Sequence, residues 1–193
     1  MSASGAKSMP TFSFLTVIEN DEWGMTGGLL VLNASGRPLE FHCTAPLKPN
    51  RAQEILYGPT LRPFLYGEQI GQTLLGKAKS DMLFVCTDVE PALCVRDLVD
   101  YPVALMFGLP GKDAGDSGER STASPTASTD GAGDGRLVEF ALGGRTAAVL
   151  AHHAGDKETI LERWKPHAEH VDLHEPFGRI REALAEAQRG ATK

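Results

Sequence analysis

GGLLVLNASGRPLEFHCTAPLKPNRAQEILYGPTLRPFLYGEQIGQTLLGKAK, residues 27–79, is the stretch whose reading decides the fold. Residues 29–32 form an apolar run, and NASG at 33–36 offers the Asn and Gly that suit a tight turn with positive φ. Residues 39–43 then alternate as a partner strand. Leu39, Phe41 and Cys43 take one face; Glu40 and His42 take the other. Asn50, followed by Gln53, fits a capping box and opens a short helix that Gly58-Pro59 interrupts. Thr60 is read as the cap of a second helix running to about Lys79, with Leu61, Phe64, Leu65, Leu74, Leu75 and Ala78 as its apolar surface.

Upstream, residues 11–18 read as a strand that is largely apolar on both faces, as a strand inside a sheet would be. With 29–32 and 39–43 it predicts a three-stranded antiparallel meander, and Trp23 in the first loop is placed to close over the core. Downstream, the apolar runs 82–86 and 103–107 flank a short helix expected to be capped by Thr87 or Asp88, with Pro91 in its first turn. Strand, helix, strand predicts a parallel crossover. Gly143-Gly144 joins 137–142 to 145–151 as a hairpin. Asp156 is expected to cap a helix carrying Ile160, Leu161 and Trp164, residues 171–173 to form a short edge strand, and Phe177, Ile180, Leu184 and Ala187 to line a last helix.

The resulting expectation is an α+β domain, with mixed α/β as the alternative. A mostly antiparallel sheet is packed by a central interrupted helix and two C-terminal helices. Residues 1–10 are read as a flexible tail and 11–193 as one domain. A disordered loop at about 109–135 interrupts it, because that stretch has no bulky apolar residue after Leu109 to offset its ordering entropy. A meander followed by a long helix resembles small regulatory sheet domains of the profilin or roadblock type. That resemblance lies at the level of fold and implies no particular activity.

The bulk chemistry narrows the function. A formal net charge of −6, with no basic run, argues against nucleic acid as a partner. No segment reaches the length of a membrane span, and MSASGAKSMP lacks an apolar signal core, so a cytoplasmic protein is expected. Cys43, Cys86 and Cys94 are odd in number and lack close spacing, which predicts reduced thiols rather than a disulfide framework. Gly24, Gly27 and Gly28 are read as preceding a strand, so they form no dinucleotide fingerprint; phosphate-loop and nucleophile-elbow motifs are absent.

Two functions remain. The first is a non-catalytic interaction or regulatory subunit of an intracellular complex, binding another protein or itself. Its surface would be Tyr57 and Tyr66, from the repeated LYG triplet, with Gly67 and Gly71, whose cost in a helix implies close approach by something. The second is a small metal-dependent or cysteine-dependent enzyme. Cys86 and Asp88 end a buried strand before a helix, where ligands bind in α/β sheets, and His42 or His152 would be the base. Five of the six histidines lie between 152 and 174. If 170–174 is extended, His170, Asp172 and His174 share a face suited to a divalent metal. No cofactor is otherwise expected, and the interaction reading is preferred.

Overall fold

The structure is a computed structural model and describes residues 10–108, 136–168 and 171–191. Among the described residues, seven strands form one mixed sheet: β1 (Thr11–Asn20), β2 (Gly24–Asn33), β3 (Pro38–Cys43), β4 (Met82–Thr87), β5 (Val103–Met106), β6 (Leu137–Leu142) and β7 (Arg145–Leu150). Their order is β3-β2-β1-β4-β5-β7-β6. The N-terminal meander and the C-terminal hairpin are antiparallel, while β1, β4 and β5 run parallel at the centre. The fold is α+β as expected, and the 82–107 segment makes the parallel crossover that its apolar runs predicted.

Helices cover both faces. On one, α1 (Arg51–Tyr57), burying none of its own residues, leads into α2 (residues 61–75), which lies on the sheet with the 3₁₀ segment Glu90–Leu98. The other carries α3 (Asp156–Trp164) and α4 (Glu175–Ala191). Strand alternation splits the core accordingly. Leu15, Leu29, Val31 and Val85 pack on Leu65, Ile70 and Leu74 of α2. Phe12, Phe14 and Phe84 pack on Trp164 of α3 and Phe177 and Ile180 of α4. Edge-to-face ring contacts, Phe12–Trp164 at 5.5 Å and Phe14–Phe177 at 5.6 Å, fix the second interface. Among the described residues no helix is long and apolar enough to cross a membrane.

Several local expectations change. Gly27 and Gly28 lie inside β2 rather than before it. A Cβ on Gly27 would stand 2.1 Å from Ile70 Cγ2, and one on Gly28 would stand 2.4 Å from Ile180 Cγ2. One strand thus lets α2 and α4 approach from opposite faces. Asn50 forms the predicted capping box with Gln53. Thr60, however, makes no cap: its hydroxyl donates to Tyr57 O at 2.8 Å. The middle of α2, Phe64–Gln72, is π-helical, and helical structure ends at Leu75 rather than Lys79.

Neither Thr87 nor Asp88 caps the following segment, which starts after Val89. Thr87 Oγ1 instead accepts from Val89 N–H. Asp156 is the first residue of α3 rather than its cap and is held by Arg96. Residues 171–173 are not a strand; Val171 and Leu173 tuck into the core. The expected loop at 109–135, and the expected tail except Pro10, lie outside the described residues.

Candidate interaction edge and histidine cluster

β3 is the outer strand at one end of the sheet. Thr44 N–H donates to Gly27 O at 3.0 Å. Antiparallel partners alternate in their bonding, so His42, opposite Leu29, and Glu40, opposite Val31, also bond toward β2. Phe41 and Cys43 therefore turn their N–H and C=O groups outward. Pro38 and a register shift between Val31 and Leu32 interrupt the start of the strand. Residues 39–43 then run without a further proline or register shift, and an unguarded edge segment is a template for further pairing.

The two faces of β3 differ. On the α2 side, Glu40 accepts from Ser80 N–H at 2.7 Å and Lys79 N–H at 3.0 Å, and from the Ser80 hydroxyl; it also receives His42 Nε2 at 2.9 Å. Burial opposes its ionisation, but these four donors outweigh that and hold its carboxyl down at about 2. On the α4 side, Leu39 is 48% exposed and Phe41 40% exposed, because α4 stops over β1 and β2. The uncovered strip continues into an apolar groove of about 280 Å³ lined by Trp23, Cys43, Pro46, Leu184 and Ala187. Trp23 therefore walls a groove instead of closing the core, and Cys43 is an exposed free thiol.

The residues predicted to form an interface through α2 have other work. Gly67 and Gly71 are buried against the 3₁₀ segment: a Cβ on Gly67 would stand 2.1 Å from Cys94 Sγ, and one on Gly71 3.0 Å from Val95 Cγ2. Tyr66 is buried and donates its hydroxyl to Glu19. Only Tyr57 reaches the surface, stacked on Phe64 with ring centres 4.2 Å apart. These rings wall a cavity of about 200 Å³ with Pro63, Glu68, Cys94 and Asp97. Beside Tyr57 in α1, a helix with no buried residue, Ile55 is 66% exposed and Leu56 80% exposed.

The catalytic candidates do not converge. Cys86 is fully buried on the α4 side, and burial pushes its thiol far above the ordinary range. His42 lies on the opposite face of the sheet, so it cannot serve as the base for that thiol. Asp88 pairs with Arg181 of α4. Asp172 Oδ1 accepts from the N–H groups of His174 (2.7 Å) and Glu175 (3.2 Å), capping the entry to α4. Burial disfavours its ionisation, but these amide hydrogen bonds outweigh that and hold its pKa below the usual carboxylate range. The ring of His174 instead meets Phe177. His170 lies outside the described residues.

His152 does find partners. His152 and His153 follow β7 in a 3₁₀ turn, and both Nε2 atoms donate to Asp97 Oδ1, each at 2.8 Å. Burial disfavours the Asp97 carboxylate, but the two imidazole hydrogen bonds outweigh it and hold its pKa below the usual range. Sequence reading missed Asp97 and His153 as a pair because 55 or more residues separate the acid from the imidazoles. The only available signal was the adjacent pair of histidines at a strand end.

No family model, curated protein or solved structure matches this chain.

Proposed function

We propose that the chain is a non-catalytic interaction subunit that joins a second copy of itself edge to edge through β3. The observation that carries this reading is Phe41. Its side chain is exposed beside outward-facing backbone groups, on a sheet whose neighbouring strands are covered on both faces. Two copies related by a two-fold axis pair antiparallel. With Phe41 opposite its own counterpart, Glu40 of each copy lies opposite His42 of the other, a complementary pair on one face. The exposed aromatic rings meet on the other face, next to the groove walled by Trp23 and Pro46.

Light scattering over a concentration series tests this. The native chain is expected to dimerise, and Phe41→Lys to remain monomeric with its fold intact, because charge on an edge blocks pairing. Phe41→Cys in a Cys43→Ser background is expected to form an interchain disulfide on oxidation. A native chain that stays monomeric at high micromolar concentration sinks the proposal. So does a dimer indifferent to Phe41→Lys, or a stoichiometric foreign chain on the same edge.

A further inference from the structure

We infer that Asp97, His152 and His153 form a binding site for a divalent cation of the zinc class, independent of the β3 edge. The three side chains place two imidazole nitrogens and a carboxylate oxygen within 4.8 Å of one another. Two imidazoles and one carboxylate are a donor set matched to borderline cations, and three protein ligands leave further coordination open to solvent. His152 and His153 are neighbours in sequence, yet their rings are 4.6 Å apart and aim at one oxygen.

The cluster is held from behind. Arg96, next to Asp97, makes a two-point ion pair with Asp156 at 2.6 and 3.2 Å, and donates to Val99 O at 2.8 Å. That clamp ties the 3₁₀ segment to the start of α3, bringing together the two backbone stretches that supply the ligands. It also neutralises the guanidinium that would otherwise repel a cation. The pair is largely buried, whereas His152 is open to solvent, so an entry path exists. In a tetrahedral site with bonds of about 2.0–2.1 Å, ligand atoms stand about 3.3 Å apart. Replacing the two shared protons by a metal thus requires the 2.8 Å separations to open by about half an ångström, within reach of side-chain rotation. The ion would sit at the rim of the cavity walled by Tyr57 and Phe64, since Asp97 lines both.

Calorimetric titration of Zn²⁺ into the full chain, stripped of metal beforehand, tests the site. One saturable equivalent is expected, with His152→Ala and His153→Ala each lowering affinity by tenfold or more, and His174→Ala leaving it unchanged. Because the ligand histidines are not core residues, the variants should keep the native thermal transition. Zn²⁺ should raise the transition temperature of the native chain and not that of the double variant. Absence of saturable binding overturns the inference, and so does unchanged affinity in the His152→Ala/His153→Ala chain.

Discussion

β2 and β3 are neighbours in one sheet, yet they meet opposite conditions. β2 is covered on both faces, because Gly27 and Gly28 let Ile70 and Ile180 come within a distance that a side chain would forbid. β3 is covered on one face only, where Glu40 draws in the chain after α2 through Lys79 and Ser80. Its other face, with Leu39 and Phe41, is left open. The missing side chains at 27 and 28 let the helices lie close over β1 and β2, and the limit of helical cover, with the exposed apolar strip, falls at β3.

The strongest way to break this contrast is Gly28→Val. The new side chain must displace Ile180 and Leu184, both buried, and overpacking of this kind costs about 3 kcal/mol. Chemical denaturation should show a lower midpoint with the same fold class by circular dichroism. Gly67→Ala asks whether the same logic governs α2. A Cβ there meets Cys94 Sγ, and the helix-propensity gain of about 1 kcal/mol offsets only part of the strain, leaving a net loss of about 1–2 kcal/mol. A stabilised Gly67→Ala protein would show that the α2 contact is slack.

Glu40→Gln sharpens the covered side of β3. At neutral pH it should cost about 1–2 kcal/mol, because it weakens charge-assisted bonds to Ser80 and Lys79. The folded-state pKa is depressed from 4.5 to about 2, so this stabilisation is present above about pH 4.5 and is lost as pH falls toward 2. Urea midpoints of the two proteins should therefore differ at pH 7, draw together below about pH 4.5 and converge only as pH falls through about 2. A constant gap would mean that the carboxylate charge contributes nothing. The smallest effects belong to the open surfaces. Phe41→Lys and Leu56→Glu should each shift monomer stability by no more than about 0.5 kcal/mol, since neither residue is in the core. Only the first should change the association state. Dissociation by Leu56→Glu would transfer the interface to α1.

Much of the local structure was legible because its causes are local. Gly143 and Gly144 adopt φ of 59° and 76°, as a two-residue hairpin turn demands. Asn50 and Gln53 satisfy each other across one helical turn. Period-two alternation placed Leu39 and Phe41 opposite Glu40 and His42. The misreadings came where a backbone amide or a distant group claims a side chain or a close approach that the local pattern assigned elsewhere. Asp156 carries a cap-like sequence position, but Arg96 offers it a charge-assisted ion pair instead. Asp172 sits among histidines, yet the two amide donors at the start of α4 claim its carboxylate. Gly67 and Gly71 signalled close approach correctly, but the approaching body is the chain's own 3₁₀ segment.

The sequence by itself determined the approximate positions of β1 to β7, their in-and-out alternation, the capped start of α1 and the α+β class, because each depends on residues a few positions apart. Tertiary structure alone decided that β1 sits between β2 and β4, that Cys86 and His42 fall on opposite faces, and that Asp97 meets His152 and His153. Those outcomes depend on how two helical layers pack across one sheet, and packing brings together residues that no periodicity along the chain connects.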